Sequence, residues 1–153
     1  MVSTKNVEIC KAIPSDFNDV YELLKEFAVF IKTPEKLTIT LEDMKKDASI
    51  FNCLIAVSEN RIIGFATYFF AYYSWTGKSI YLDDLYVLPE HRGAGIGTQL
   101  MDRVIGIGRE EACKKMRWQV SRWNKKAIEF YRRKGAVIDD VEINCDFPLG
   151  TYR

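Results

Sequence analysis

The stretch YLDDLYVLPEHRGAGIG, residues 81–97, constrains this chain most, because the backbone must change type twice within it. The run SIYLDDLYVL (79–88) is apolar and β-rich, and Pro89 stops it. Three alternate glycines, Gly93, Gly95 and Gly97, then lead into a helical pattern carrying Leu100, Val104 and Ile107, which predicts a helix to about Lys114. A strand passing through a glycine loop into a helix belongs to an α/β architecture. Asp83 and Asp84 stand side by side inside the strand. Successive strand side chains point to opposite faces, so both cannot reach solvent on a sheet with one covered face. A buried, unpartnered carboxylate costs several kcal/mol or shifts its pKa. The pair therefore asks for an explanation beyond packing.

The other elements follow from local patterning. VEICKAI (7–13) alternates as a strand, and Pro14 with Ser15 or Asp16 as cap opens a helix. Its apolar positions Phe17, Val20, Leu23, Leu24, Phe27 and Ile31 keep the helical period, and Pro34 ends it. Thr40 and Asp43 form a capping-box pattern for a short helix over about 40–48. CLIAVSENRIIGFATYFFAYY (53–73) reads as two strands around a turn at Ser58-Glu59-Asn60. MRWQVS (116–121) reads as a strand, Asn124 caps a helix that Gly135 closes, and VEINCDF (141–147) is expected to be a last strand. The order β-α-α-β-β-β-α-β-α-β, with no linker or repeat, predicts one domain over residues 1–153. Its sheet should be mixed, antiparallel first and parallel later, with helices on both faces.

Composition narrows the function by exclusion. Of 153 residues, Lys plus Arg make 22 and Asp plus Glu 21, and a net charge of +1 gives no overall pull toward nucleic acid or membrane. No apolar run reaches the ~18 residues of a membrane span, and MVSTKNVEIC has no apolar signal segment, so a cytoplasmic protein is expected. The four cysteines, Cys10, Cys53, Cys113 and Cys145, form no CxxC pair and fit reduced core thiols. His91 is the only histidine, which removes a Ser-His-Asp triad and a two-histidine metal site; no metal is expected.

The loop RGAGIG (92–97) lies where backbone N–H groups and a helix N-terminus favour an anion. Its glycine spacing is not G-x-G-x-x-G, and Gly97 is followed by Thr98-Gln99 rather than the Lys-Ser/Thr of a P-loop. Dinucleotide and P-loop readings are therefore disfavoured.

The motif R-x-x-G-x-G, present as Arg92-Gly93-Ala94-Gly95-Ile96-Gly97, resembles the acetyl-CoA pyrophosphate loop of the GNAT N-acetyltransferase superfamily. NKKAIEFYRRKGA (124–136) is similar to its N-x-x-A-x-x-x-Y-x-x-x-G helix. Within that superfamily, W-x-G-K, Y-L-[ED]-D, R-G-x-G-I-G-[ST] and WNKKAIEFYRRKGA resemble the diamine (spermidine/spermine) acetyltransferases. The resemblance implies a centrally split mixed sheet and acetyl transfer from acetyl-CoA to a primary amine. The amine would belong to a small cationic substrate, a polyamine, a diamine or a lysine-like amino acid. It also implies a homodimer.

The resemblance assigns roles to particular residues. Asp83 stands where the family usually has a Glu that acts as base through a water, with Asp84 as the competing candidate. The backbone of Leu85, Tyr86 and Val87 would hold the pantetheine arm, and Arg92, Gly93, Ala94, Gly95, Ile96, Gly97 and Thr98 the pyrophosphate. Asn124 and Ala127 would contact CoA, and Tyr131 would protonate the departing thiolate. Tyr73 stands where the family tends to carry an Asp, which removes negative charge from the substrate side. Tyr73 and Trp75 would offer cation–π contacts in compensation, and Arg117 a partner for a substrate carboxylate. Acetylation of a protein amine or an aminoglycoside, and a non-catalytic acetyl-CoA sensor, are the alternatives. Having both Asp83 and Tyr131 favours an enzyme over a sensor.

Overall fold

Five strands pair in chain order into one sheet: β1 (Glu8–Lys11), β2 (Asn52–Ser58), β3 (Arg61–Tyr73), β4 (Gly77–Val87) and β5 (Met116–Trp118). The first three pairings are antiparallel and the last, β4 with β5, is parallel. The computed structural model describes residues 6–150. The chain divides into two compact units at residues 119 and 120, and the first holds the described sheet.

Short hairpins set the antiparallel half. Glu59 and Asn60 both adopt positive φ, 50° and 61°, the backbone of a two-residue turn whose twist matches its strands. Helix α1 (Phe17–Phe30) and α2 (Leu41–Lys46) intervene between β1 and β2. Thr40 caps α2 reciprocally: its Oγ1 accepts from the Asp43 N–H at 3.1 Å, and the Asp43 carboxylate accepts from the Thr40 N–H at 3.1 Å. The start of α1 differs from expectation. Pro14–Asp16 form a 3-10 turn, and Asp16 turns its carboxylate back to accept from the Ile13 N–H at 2.9 Å rather than capping α1.

The sheet carries a helix on each face. On one, Phe65 of β3 and Tyr86 of β4 meet Phe27 of α1, with ring centroids 6.4 and 5.2 Å apart. On the other lies α3 (Ile96–Glu110), whose Leu100, Met101 and Val104 are fully buried. A side chain at Gly64 would meet the Tyr86 carbonyl at 2.9 Å and Leu100 at 3.4 Å, so β3 needs glycine there to approach its neighbours. Ile80 similarly occupies the space beside Gly108 of α3.

The parallel pairing of β5 covers only Ile80–Leu82 of β4. From Asp84 to Val87, β4 pairs with β3 on one side and with no described strand on the other. That open edge is the split in the sheet. The expected strand over 116–121 thus forms only at Met116–Trp118, and the preceding helix stops at Glu110 rather than near Lys114.

The second unit contains α4 (Lys125–Arg133), capped by Asn124, whose Oδ1 accepts from the Ala127 N–H at 3.2 Å. Gly135, at φ 96°, closes it, and the Ala136 N–H reaches the Tyr131 carbonyl at 3.1 Å. The strand expected over 141–147 does not form. Val141, Ile143 and Phe147 are exposed, and a strand without a ladder partner has nothing to offset its lost chain entropy. The core-thiol expectation holds for Cys53, which is buried, but fails for Cys145, which is exposed with that same segment. Among the described residues no helix is long and apolar enough to cross a membrane.

Candidate active site

The register of β3 against β4 explains the paired aspartates. Phe65, Thr67 and Phe69 alternate onto one face of β3, and their partners are Tyr86, Asp84 and Tyr81. Tyr86 and Asp84 are two residues apart, but Asp84 and Tyr81 are three apart. The register slips between Thr67 and Tyr68, whose partners are Asp84 and Leu82, so Asp83 is an extra residue in a β-bulge. Two residues beyond Tyr81, Asp83 shares the face that Asp84 occupies. The bulge thus turns both carboxylates to the α1 side of the sheet, at the point where β4 parts from β5.

Their surroundings differ. Asp84 is half-buried, and its Oδ2 accepts from Thr67 Oγ1 at 2.5 Å. Burial, and then the neighbouring Asp83 charge, push its carboxyl up to about 6, against the lowering effect of the Thr67 hydroxyl. Asp83 is exposed at its tip, yet the protein around it removes enough water to raise its pKa as well. Two coupled carboxylates with raised pKa, one held by a hydroxyl and one open to solvent, form a pair able to take up a proton near neutrality. Thr67, the positioning partner, was missed in the sequence because its pairing depends on the bulge.

Downstream, β4 ends at Val87, and Pro89–His91 form a 3-10 turn. Gly93 and Gly95 then take positive φ, 84° and 81°, which an L side chain rarely adopts. Gly95 caps α3 with no side chain, and the first helical bond runs from the Gln99 N–H to the Gly95 carbonyl at 3.0 Å. The Ile96, Gly97 and Thr98 amides therefore precede the helical ladder, and the first turn has no acidic residue. This backbone fits an anion such as the pyrophosphate of CoA.

Arg92 is arranged differently from a free cation aimed at a ligand. Its Nε donates to the Val87 carbonyl at 2.8 Å, and its guanidinium lies over the rings of Phe30 (4.6 Å) and Tyr86 (5.3 Å). The side chain ties the loop to the end of β4 and to α1.

At the opposite end of β4, a depression of about 420 Å³ is lined by Tyr72, Tyr73, Ser74, Trp75, Thr76, Lys115 and Arg117. It brings together three residues expected on the substrate side, Tyr73, Trp75 and Arg117, and adds Lys115. The Tyr73 ring already carries two cations, Lys115 Nζ at 4.5 Å and the Arg117 guanidinium at 4.6 Å. Lys115 had a legible signal: it stands two residues before Arg117, the spacing that puts side chains on one face of an extended segment.

In the second unit, Asn124 and Tyr131 are seven residues apart, two helical turns, and so share a face of α4. Tyr131 is buried, and burial raises its phenol pKa, keeping it a proton donor through the neutral range.

Comparison with known proteins places the chain in a family. The chain is 34% identical over 148 residues to a thialysine N-epsilon-acetyltransferase of Mus musculus, covering 89% of this chain and 85% of that protein. It is 33% identical over 141 residues to the spermidine/spermine N(1)-acetyltransferase-like protein 1 of Homo sapiens, covering 85% of this chain and 20% of that longer protein. A solved aminoglycoside N-acetyltransferase in complex with CoA shares the fold, with a TM-score of 0.76 at 18% identity, over 93% of this chain and 95% of the other. Residues 17–136 match the Acetyltransferase (GNAT) family, and the chain belongs to that family as an N-acetyltransferase.

Proposed function

We propose that the protein transfers acetyl from acetyl-CoA to the primary amine of a small cationic substrate, a polyamine, diamine or lysine-like amino acid, by direct attack in a ternary complex. The observation that supports this best is the bulge: it puts Asp83 and Asp84 on one face, beside the open edge of β4 and upstream of the glycine loop. The amides of residues 93–98 and the open backbone of Leu85, Tyr86 and Val87 hold the donor, with Asn124 and Ala127 contributing from α4. Acetyl-CoA supplies a thioester carbonyl carbon for the amine to attack.

An alkyl ammonium, with a pKa near ~10.4, must first lose a proton. Asp83 takes it through a water, its carboxyl pKa raised by burial so that it can act as a base, with Asp84 held beside it by Thr67. A β4 amide at the open edge donates to the carbonyl oxygen as charge develops there. The N–C bond forms and the C–S bond breaks, the nitrogen gives up its second proton to solvent, and Tyr131 donates a proton to the departing sulfur and is reprotonated from solvent. On this reading residues 1–153 are a single N-acetyltransferase domain.

The same reading makes the enzyme a cytoplasmic homodimer. The exposed apolar side chains of Val141, Ile143, Phe147 and Leu149 support a partner surface. A thiol-release assay with acetyl-CoA and a panel of amines tests the reading. Release with spermidine, putrescine or lysine is the expected result; release only with a lysine peptide or an aminoglycoside would refute it.

A further inference from the structure

The depression at the β3–β4 turn is electrostatically one-sided. Of its seven lining residues, two are cations and none is a carboxylate. Among the described residues neither Lys115 nor Arg117 lies within salt-bridge distance of an acid; the four ion pairs involve other side chains. Both are instead gathered on one phenol ring, which holds two like charges close together. Two cations held together without an acid cost Coulomb energy that an arriving anion removes.

The register locates this cluster relative to the aspartates. Arg117 is the Cα partner of Tyr81, and Lys115, just before β5, reaches the same Tyr73 ring. Asp83 lies two residues beyond Tyr81 on β4. At ~3.3 Å per residue, Arg117 is level with a point about 7 Å from Asp83, and Lys115 with one about 13 Å away. Tyr81 neighbours both: burial raises its phenol pKa most, the Asp83 charge raises it further, and the Arg117 charge lowers it. The glycine loop lies past the other end of the pair. The carboxylates therefore stand between two anion-favouring regions, one backbone-built and one made by side chains.

We propose that Lys115 and Arg117 form a subsite for the carboxylate of an amino-acid substrate whose terminal amine reaches Asp83. A lysine-like side chain places its amine about 6 Å from Cα, five bonds of ~1.5 Å in zigzag, which matches the interval between Arg117 and Asp83. The same cations repel the far end of a diamine or polyamine, so the subsite selects among amines that Asp83 and Asp84 alone would accept equally. This rests on the acetyl-transfer reading above.

The test compares L-lysine with its decarboxylated counterpart, 1,5-diaminopentane, by thiol release with acetyl-CoA and by calorimetric binding in the presence of CoA. The native protein should favour L-lysine by about tenfold or more in kcat/KM, the scale of a charge-assisted hydrogen bond. In Lys115→Gln/Arg117→Gln, with the fold checked by its melting temperature, that ratio should fall to near one. Equal use of the two amines by the native protein, or a preference that survives in the double variant, would overturn the subsite. Absence of turnover with both amines, together with tighter L-lysine binding lost in the double variant, would keep the subsite and refute acetyl transfer to it. Absence of any difference in binding would overturn the subsite whatever the turnover.

Discussion

Replacing Asp84 with Asn should stabilise the protein at neutral pH while impairing its chemistry. The Asp84 carboxyl is pushed up to about 6 by burial and by Asp83, whereas an unfolded chain returns it to ~3.9. Between those values the native state holds more protons than the unfolded state, so stability falls as pH rises. The loss begins above ~3.9 and is complete once pH passes about 6. Two pH units at 1.36 kcal/mol each amount to about 3 kcal/mol, an upper bound because part of the shift belongs to the coupled Asp83. Asn keeps the shape and can still accept from Thr67 Oγ1, but carries no charge to desolvate.

The assay is urea denaturation of both proteins at pH 4 and pH 7.5. The native protein should lose up to about 3 kcal/mol across that interval from this group, and Asp84→Asn should lack that loss. With m near ~2 kcal/mol/M, the difference is a midpoint shift of about 1.5 M. An unchanged pH dependence in the variant would show that Asp84 is solvated in the folded protein and would remove the electrostatic argument for the pair.

Three further outcomes are expected. Asp83→Asn should abolish the acid limb of the kcat/KM profile, which in the native protein lies above the ordinary carboxylate range because burial raises the Asp83 pKa; an unaltered profile would remove Asp83 as the base. Tyr131→Phe should lower turnover by about 10²–10⁴ with acetyl-CoA affinity retained, as measured by calorimetry, and equal turnover would end its role as acid. Gly95→Val forces a β-branched residue to φ 81° and covers the loop amides, so acetyl-CoA should no longer raise the melting temperature; a normal rise would contradict the cradle.

What could be read from the sequence was what local chemistry decides. The Thr40–Asp43 box, the Asn124 cap, the Gly135 closure and the glycine loop depend on residues within a few positions, and each formed as expected. The antiparallel-to-parallel change followed from the hairpin signals and the later alternation of strands with helices. What depends on distant pairing was hidden. The bulge at Asp83 exists only relative to Thr67 and Tyr68, so the strand pattern could not say that both aspartates share a face. VEINCDF alternates as a strand should, but alternation names no partner. The Arg92 motif marks a phosphate loop, whereas the side chain's own bonds, to Val87 and over Phe30, depend on where α1 ends.

The bulge has one more consequence, for how β4 tolerates change. On the α3 side the strand presents Ile80 and Leu82, then Leu85 and Val87: even numbers first, odd numbers after. Asp83 acts as a phase shift in a two-beat pattern. Deleting that one residue would put the two halves back in step: Leu85 and Val87 would still face α3, and Tyr86 would still face its aromatic neighbours. What the deletion removes is the side-by-side pair, leaving one carboxylate where the native strand has two. The extra residue is therefore dispensable to the packing of either face, and the length of β4 carries the active site rather than the core.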